Sequence, residues 1–165
     1  MKIKRIEHIA IAVADLDAMA GMLRDKFGID ADVWSVTSWK ELRRDALDSE
    51  RWNMLHPDQP MRVPYITQLF KDEPWPVVAA SDFVKALPHL IAPWVPQGLH
   101  ALGTDGFGRS ETRQSLRRFF EVDGEHVAIA ALWQLAKEGE MKPADVAKAI
   151  RELGIDPDTA SPTTR

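Results

Sequence analysis

The sequence predicts a single α/β domain, a three-layer α/β/α sandwich built around a mostly parallel mixed sheet. Short apolar runs alternate with segments of helical character along the chain, which is the order expected of an α/β layer structure. Residues 77–80 read Val-Val-Ala-Ala, a continuous apolar run typical of a strand buried on both faces of a parallel sheet. The chain has 165 residues, the length of one domain, and no linker, repeat or low-complexity block divides it.

The first half of the chain contains two predicted strand–helix units. Residues 3–13 are rich in Ile and Val and predict a strand, and residues 17–26 carry apolar side chains at helical spacing. Residues 32–37 predict a second strand. Glu41 lies three residues after Ser38, the spacing of a capping box, so a helix is expected to begin at this point.

The second half of the chain continues the same alternation. Predicted strands lie at residues 77–80 and 100–103, and predicted helices lie at residues 83–91, 125–138 and 143–153. The last segment, residues 156–165, is polar and contains Pro and Thr, so it is expected to be a loose tail.

Composition and charge exclude several classes of function. The net charge is -4 and no basic face is evident, which argues against nucleic-acid binding. The absence of cysteine excludes disulfides, a thiolate nucleophile and Cys-based metal sites. No apolar stretch reaches the length of a membrane span, and the N-terminal apolar run is too short for a signal peptide, so we expect no membrane partner and a cytoplasmic protein. The five histidines form no recognisable metal-ligand pair, and no catalytic or metal-binding residue is assigned.

The most distinctive motif is a glycine-rich stretch at residues 103–110, Gly-Thr-Asp-Gly-Phe-Gly-Arg-Ser. It follows a predicted strand and precedes a predicted helix, and backbone amides at a helix N-terminus can hold an anion. The favoured interpretation is a tight turn with Asp105 and Ser110 as local caps, Ser110 capping the following helix, and the alternative is an anion-binding or interface turn. The residues concerned are Gly103, Asp105, Gly106, Gly108, Arg109 and Ser110.

A second unusual stretch, Arg-Trp-Asn-Met-Leu-His-Pro, contains Trp52 and His56. His56 could act as a general base, but no carboxylate or nucleophile is placed beside it by the sequence. An interface role for Trp52 and His56 is therefore favoured. The chain has six tryptophans, an excess that indicates a face packed against another protein surface.

Longer stretches of the chain resemble a known family. The segments SERWNMLHP, GTDGFGRS and AIRELGIDP occur in the order found in the C-terminal domain of homodimeric, bacterial-type pyruvate dehydrogenase E1 components, and the resemblance covers roughly residues 27–160. The resemblance implies a transketolase C-terminal-domain-like fold over residues 28–155, within a single domain at residues 1–165. It also implies a non-catalytic assembly domain of an enzyme that decarboxylates pyruvate with thiamine diphosphate and Mg²⁺ and transfers acetyl to lipoyl groups on the E2 acetyltransferase.

The same resemblance implies that the cofactors are held outside this chain. The Gly-Asp-Gly…Asn motif that binds diphosphate and metal in such enzymes has no match, so no cofactor-binding residue is carried over. The expected partners are the remaining E1 domains or a second copy of the chain, with E2 as an indirect partner.

The first 27 residues form an atypical first strand–helix unit. They resemble the start of vicinal-oxygen-chelate proteins, such as glyoxalases and methylmalonyl-CoA epimerase, in which a histidine at the position of His8 binds a metal. This implies an alternative function as a metal-dependent epimerase or lyase. The rest of the chain supplies no further ligands, so His8 is interpreted as a strand residue without a metal. A natural fusion, a misassembled reading frame and a divergent start all remain open, and Ile9, Ile11 and Val13 are expected to supply a strand of the sheet.

Overall fold

The computed structural model describes the backbone of residues 4–11 and 16–165 and the side-chain environments from residue 19 onward. The strands are β1 (Lys4–Ile11), β2 (Ile29–Trp34), β3 (Val77–Ala80) and β4 (Leu99–Leu102). The helices are α1 (Leu16–Met22), α2 (Trp39–Leu55), α3 (Tyr65–Phe70), α4 (Ala86–His89), α5 (Arg113–Phe119), α6 (Gly124–Lys137) and α7 (Pro143–Glu152). Two short turns complete the order, a π-helical turn at Leu23–Phe27 and a 3-10 turn at Ala92–Trp94.

The four described strands form one sheet in the order β2-β1-β3-β4, and every pairing among them is parallel. β1 therefore lies inside the sheet, where Ile9 pairs with Val78 and Ile11 pairs with Ala80. This agrees with the expectation that the N-terminal segment supplies a strand, while Val13 lies outside the described residues. The parallel arrangement confirms the predicted α/β class, and the described strands include no antiparallel pair.

Helices cover both faces of the sheet, which confirms the three-layer prediction. Val78 and Ala80 on β3 belong to a buried cluster with residues of α1, α6 and α7. Val77, one position away on the same strand, belongs to a second cluster with Ile66 and Phe70 of α3. Because side chains alternate across a strand, the two clusters lie on opposite faces.

Helix α6 forms the centre of the larger cluster. Its residues Leu132 and Leu135 have no solvent-exposed surface, and Val127 is equally buried. Asp123 begins the helix by accepting a hydrogen bond from the backbone N–H of His126 at 3.0 Å. α7 packs on α6 and adds Val146 to the same cluster.

Several local predictions hold, and others need correction. Ser38 caps α2 by accepting a hydrogen bond from the Glu41 N–H at 3.2 Å, as predicted. The helix predicted at residues 83–91 is reduced to the four residues of α4. α3 was not predicted, because prolines surround its short apolar sequence and hide its periodicity.

Candidate interface surfaces

The loops that follow β3 and β4 lie side by side at the carboxyl edge of the sheet. The Thr104 N–H donates a hydrogen bond to the Phe83 carbonyl at 2.9 Å, and the Lys85 N–H donates one to Asp105 Oδ1 at 3.0 Å. Gly103 is buried here, and a Cβ at this position would lie 2.5 Å from the Phe83 oxygen. Only glycine fits such an approach, so the two loops form one rigid unit.

The 103–110 turn does not open a helix as the sequence predicted. α5 begins at Arg113, and its cap is Thr112, whose hydroxyl accepts a hydrogen bond from the Ser115 N–H at 3.3 Å. Ser110 is exposed and does not cap this helix, so that prediction was wrong. Asp105 is a local cap, as expected, but it serves the segment before α4.

The tail at residues 156–165 lies against this turn and against α5. A Cβ added to Gly106 would lie 2.7 Å from the Pro162 carbonyl oxygen, and the backbone of Gly106 has a φ of 117°. Arg165 donates a hydrogen bond to the Phe119 carbonyl at 2.5 Å. The tail therefore contacts the domain. The expectation that it is loose concerns its motion and stays a prediction.

Arginines of α5 and the turn are held in different ways. Arg117 donates two hydrogen bonds to the Asp82 carboxylate, at 3.0 and 2.8 Å, and so joins α5 to the end of β3. Arg109 lies over the Phe119 ring with its guanidinium carbon 4.0 Å from the ring centroid, and Arg165 lies 4.5 Å from the same centroid. Such stacking is electrostatically favourable because the ring face is negative.

The junction between α5 and α6 contains Asp123, a carboxylate that accepts several hydrogen bonds. Asp123 accepts hydrogen bonds from His126 Nδ1 at 2.5 Å and from Arg118 Nη1 at 3.1 Å, in addition to its capping bond. Burial acts to raise the pKa of Asp123, but the hydrogen bonds from His126 and Arg118 outweigh it and lower the pKa overall. Glu121, two residues earlier, has a φ of 59° in the left-handed region, which is unusual for a residue other than glycine. Sequence reasoning missed Asp123 as a cap, although an Asp directly before an apolar helical run is a cap signal.

His100 on β4 is a second group, after Asp123, whose pKa is shifted. Its pKa is lowered first by burial and then by the positive charges of Lys137, Lys85 and His89. Among the described residues, no group of His, Asp and Glu side chains has an arrangement that could hold a metal ion. The side chain of His8 lies outside the described side chains.

Trp52 and His56, predicted as interface residues, lie together on the outer side of α2 and its following loop. Their rings stack with centroids 4.6 Å apart and an interplanar angle of 12°. Arg62 from the loop lies over the Trp52 ring at 4.2 Å. Asn53 fixes the same loop by accepting a hydrogen bond from the Arg62 N–H at 2.7 Å and donating one to the Arg62 carbonyl at 2.9 Å.

The end of α2, this loop and the start of α3 expose apolar side chains, which together we call the α2–α3 surface. Met54 and Met61 are 71% and 77% exposed, values far above those of residues in the core. Asp45 accepts a hydrogen bond from the Tyr65 N–H at 2.7 Å and holds the start of α3 against α2. The surface consists of Met54, Leu55, Met61, Val63 and Tyr65.

A groove of about 620 Å³ lies next to this surface, between the end of β2 and helices α2 and α3. Trp34 and Tyr65 lie at its exposed side, and Ile66 and Phe70 lie at its buried side. The described residues therefore offer apolar and aromatic surfaces of the kind that pack against protein.

The described residues form an α/β domain with helices on both faces of a parallel sheet. The chain belongs to the transketolase-like TK C-terminal domain family, whose sequence profile matches residues 11–123. The match begins at residue 11 and so includes α1 and the π-helical turn, which the sequence pattern had set apart as atypical.

Curated relatives carry a more specific description. The chain is 48% identical over 149 residues to the pyruvate dehydrogenase E1 component of Pseudomonas aeruginosa, covering 90% of this chain and 17% of that protein. It is 48% identical over 144 residues to the E1 component of Escherichia coli K12, covering 87% of this chain and 16% of that protein. It is 46% identical over 143 residues to the E1 component of Mycobacterium tuberculosis, covering 87% and 15%. The chain is thus homologous to the C-terminal region of E1 components and spans about a sixth of their length.

The alternative resemblance to vicinal-oxygen-chelate proteins gains no support. The family match reaches into the segment on which that resemblance depended, and β1 pairs in parallel with β2 and β3 within one sheet. Within residues 4–11 and 16–165, no helix is both long and apolar enough to cross a membrane.

Proposed function

We propose that this chain acts as the C-terminal, non-catalytic assembly domain of a pyruvate dehydrogenase E1 component. In this proposal the complete enzyme decarboxylates pyruvate with thiamine diphosphate and Mg²⁺ and passes the acetyl group to lipoyl groups on the E2 acetyltransferase in the cytoplasm. The cofactors would be held by domains outside this chain. The homology to the C-terminal region of E1 components supports the assignment.

The α2–α3 surface is the observation that carries the assembly role. Its apolar side chains are exposed, yet the loop between α2 and α3 is fixed by the paired hydrogen bonds between Asn53 and Arg62. A surface that is apolar and already ordered loses little conformational entropy when a partner covers it. The proposed occupant is the remainder of an E1 component, because the relatives are more than five times longer than this chain and so contain further domains that would lie beside this one.

The cofactor part of the proposal is tested by calorimetry on the isolated protein. We expect no saturable heat when the protein is titrated with thiamine diphosphate and Mg²⁺. Saturable binding would contradict the non-catalytic assignment, and Arg109→Ala in the 103–110 turn would then show whether that turn holds the diphosphate.

The assembly part is tested by mixing the protein with an E1 component that lacks its own C-terminal domain. We expect co-elution in size-exclusion chromatography and recovery of pyruvate decarboxylation. Met54→Glu combined with Met61→Glu should abolish both, because burying two carboxylates in an apolar contact is costly. Ala147→Glu, an exposed change on α7, is the matched control and should leave both intact. Equal loss of co-elution and activity in both variants would contradict the assignment of the α2–α3 surface as the assembly interface.

A further inference from the structure

A second surface, separate from the α2–α3 surface, lies at the carboxyl edge of β3 and β4. Phe107 is 89% exposed at the tip of the 103–110 turn, and Phe83 is 66% exposed in the neighbouring loop. Phe83 and Thr104 are joined by a backbone hydrogen bond at 2.9 Å, so the two aromatic loops cannot separate freely. Exposed aromatic residues on a rigid support are typical of residues that contribute most to binding a protein partner.

A cleft of about 420 Å³ lies between this turn and α5. Leu116 and Phe120 supply apolar side chains to its lining, and the turn contributes Gly106 and Gly108, which have no side chains, together with Arg109. A cleft of this volume and lining has room for an apolar side chain together with the polar groups that flank it in a bound segment.

The charges around the cleft are unbalanced in favour of arginine. Arg117 and Asp82 neutralise each other through two hydrogen bonds. Among the described residues, no carboxylate lies within ion-pair distance of Arg109 or Arg113, and Glu111 is the remaining acid of the lining. The cleft therefore carries a net positive charge, although the whole chain has a net charge of -4.

Arg109 is presented in a way that leaves its donors available. The Arg109 guanidinium carbon lies over the Phe119 ring, 4.0 Å from the ring centroid. A cation–π contact of this kind holds the group without pairing its N–H donors with an acceptor oxygen. A carboxylate could then be bound through two parallel hydrogen bonds.

We propose that this cleft binds an acidic segment of a partner protein, in which an apolar side chain enters between Leu116 and Phe120 and flanking carboxylates pair with Arg109 and Arg113. Phe83 and Phe107 contact the same segment at the rim. This goes beyond the proposed assembly role, because it uses a different face of the domain and a different chemistry of recognition.

The probe for this site is a fluorescein-labelled synthetic peptide with one phenylalanine flanked on each side by glutamates. We expect saturable binding to the intact protein by fluorescence anisotropy, weakening as salt rises. Arg109→Gln and Arg113→Gln should each weaken binding by about tenfold, since each removes a charge-assisted pair. Phe107→Ser should weaken it as well. Arg43→Gln, an exposed arginine on α2, is the matched control and should change nothing.

Two peptide controls separate the parts of the proposal. Replacing the glutamates by glutamine, or the phenylalanine by alanine, should each reduce binding. Equal binding of the alanine peptide, together with displacement by millimolar inorganic phosphate, would show a small-anion site and overturn the proposal. Absence of peptide binding, or equal loss with Arg43→Gln, would also overturn it. Because the readout uses the isolated protein and this face alone, its outcome is independent of the mixing experiment with E1.

Discussion

Helices α2 and α6 are the two longest helices of the domain and are used in opposite ways. α2 has 17 residues but buries only Ala46 and Ser49 fully, whereas α6 has 14 residues and buries six. α6 lies on β3 in the larger core, and α2 meets the second, smaller cluster through partly buried side chains. The comparison teaches that α6 stabilises the fold, while α2 mainly exposes its side chains to solvent.

The largest expected loss of stability comes from a substitution in the buried face of α6. Leu132→Ala should lower the free energy of unfolding by about 3 kcal/mol, because a fully buried leucine leaves a cavity that the surrounding helices cannot fill. The same substitution in α2, Leu47→Ala, should cost less than about 1 kcal/mol because that side chain is 38% exposed. Denaturant unfolding of both variants measures the difference. Similar losses would show that the two helices stabilise the fold equally.

The next effect concerns the cap that begins α6. Asp123→Ala should destabilise the protein by about 1–2 kcal/mol through loss of a cap and its hydrogen bonds to His126 and Arg118. Because the pKa of Asp123 is lowered in the folded state, its contribution is complete above the unfolded value near 4 and is lost as the pH falls through the lower, folded value. Thermal melts between pH 7 and pH 2 should therefore fall less steeply for Asp123→Asn than for the unchanged protein. A parallel fall in both would exclude this role, and Asp158→Asn in the exposed tail is the control.

A smaller effect concerns the order of the loop that follows α2. Asn53→Ala removes both hydrogen bonds to Arg62 and should cost about 1 kcal/mol. Hydrogen exchange of the loop amides at residues 58, 59 and 61–63 should accelerate while that of α6 stays unchanged. Gln59→Ala, an exposed change in the same loop, should leave both stability and exchange as they are. Global acceleration, including α6, would mean that the loop is part of the cooperative core.

The smallest effect on stability is expected where the effect on assembly is greatest. Met54→Glu with Met61→Glu should change the free energy of unfolding by less than about 0.5 kcal/mol, since both side chains already face solvent. Calorimetric unfolding of the isolated domain checks this expectation. A large loss would show that the α2–α3 surface packs within the domain and is not free for a partner.

Local signals in the sequence were sufficient for most of the fold. The continuous apolar run of β3 predicted a buried parallel strand, and Ser38 with Glu41 located the start of α2, because these features depend on neighbouring residues only. The resemblance, expected over roughly residues 27–160, located the chain within a larger family, and the family match extends further toward the N-terminus, to residue 11.

The parts that escaped prediction depend on contacts between distant residues. Ser110 is predicted to cap the helix after the turn because it precedes apolar positions. In the structure, Thr112 caps that helix, two residues further along the chain. Asp105 caps a segment 20 residues away, and Arg165 reaches Phe119 across 46 residues. Neither pairing leaves a periodic pattern in the sequence. The residues of the candidate surface at the 103–110 turn could therefore be predicted, but their contacts could not.

The close approach at Gly103 has a consequence for how this sequence can vary. A side chain there would collide with the backbone of Phe83 and Lys85, whereas Gly108, five positions along the same turn, has open space around its Cα. In a saturation mutagenesis library selected for folded protein, position 103 should retain glycine alone and position 108 should accept almost any residue. Within one short motif, Gly103 would thus be required by the backbone packing, whereas position 108 could change its side chain during evolution without loss of the fold.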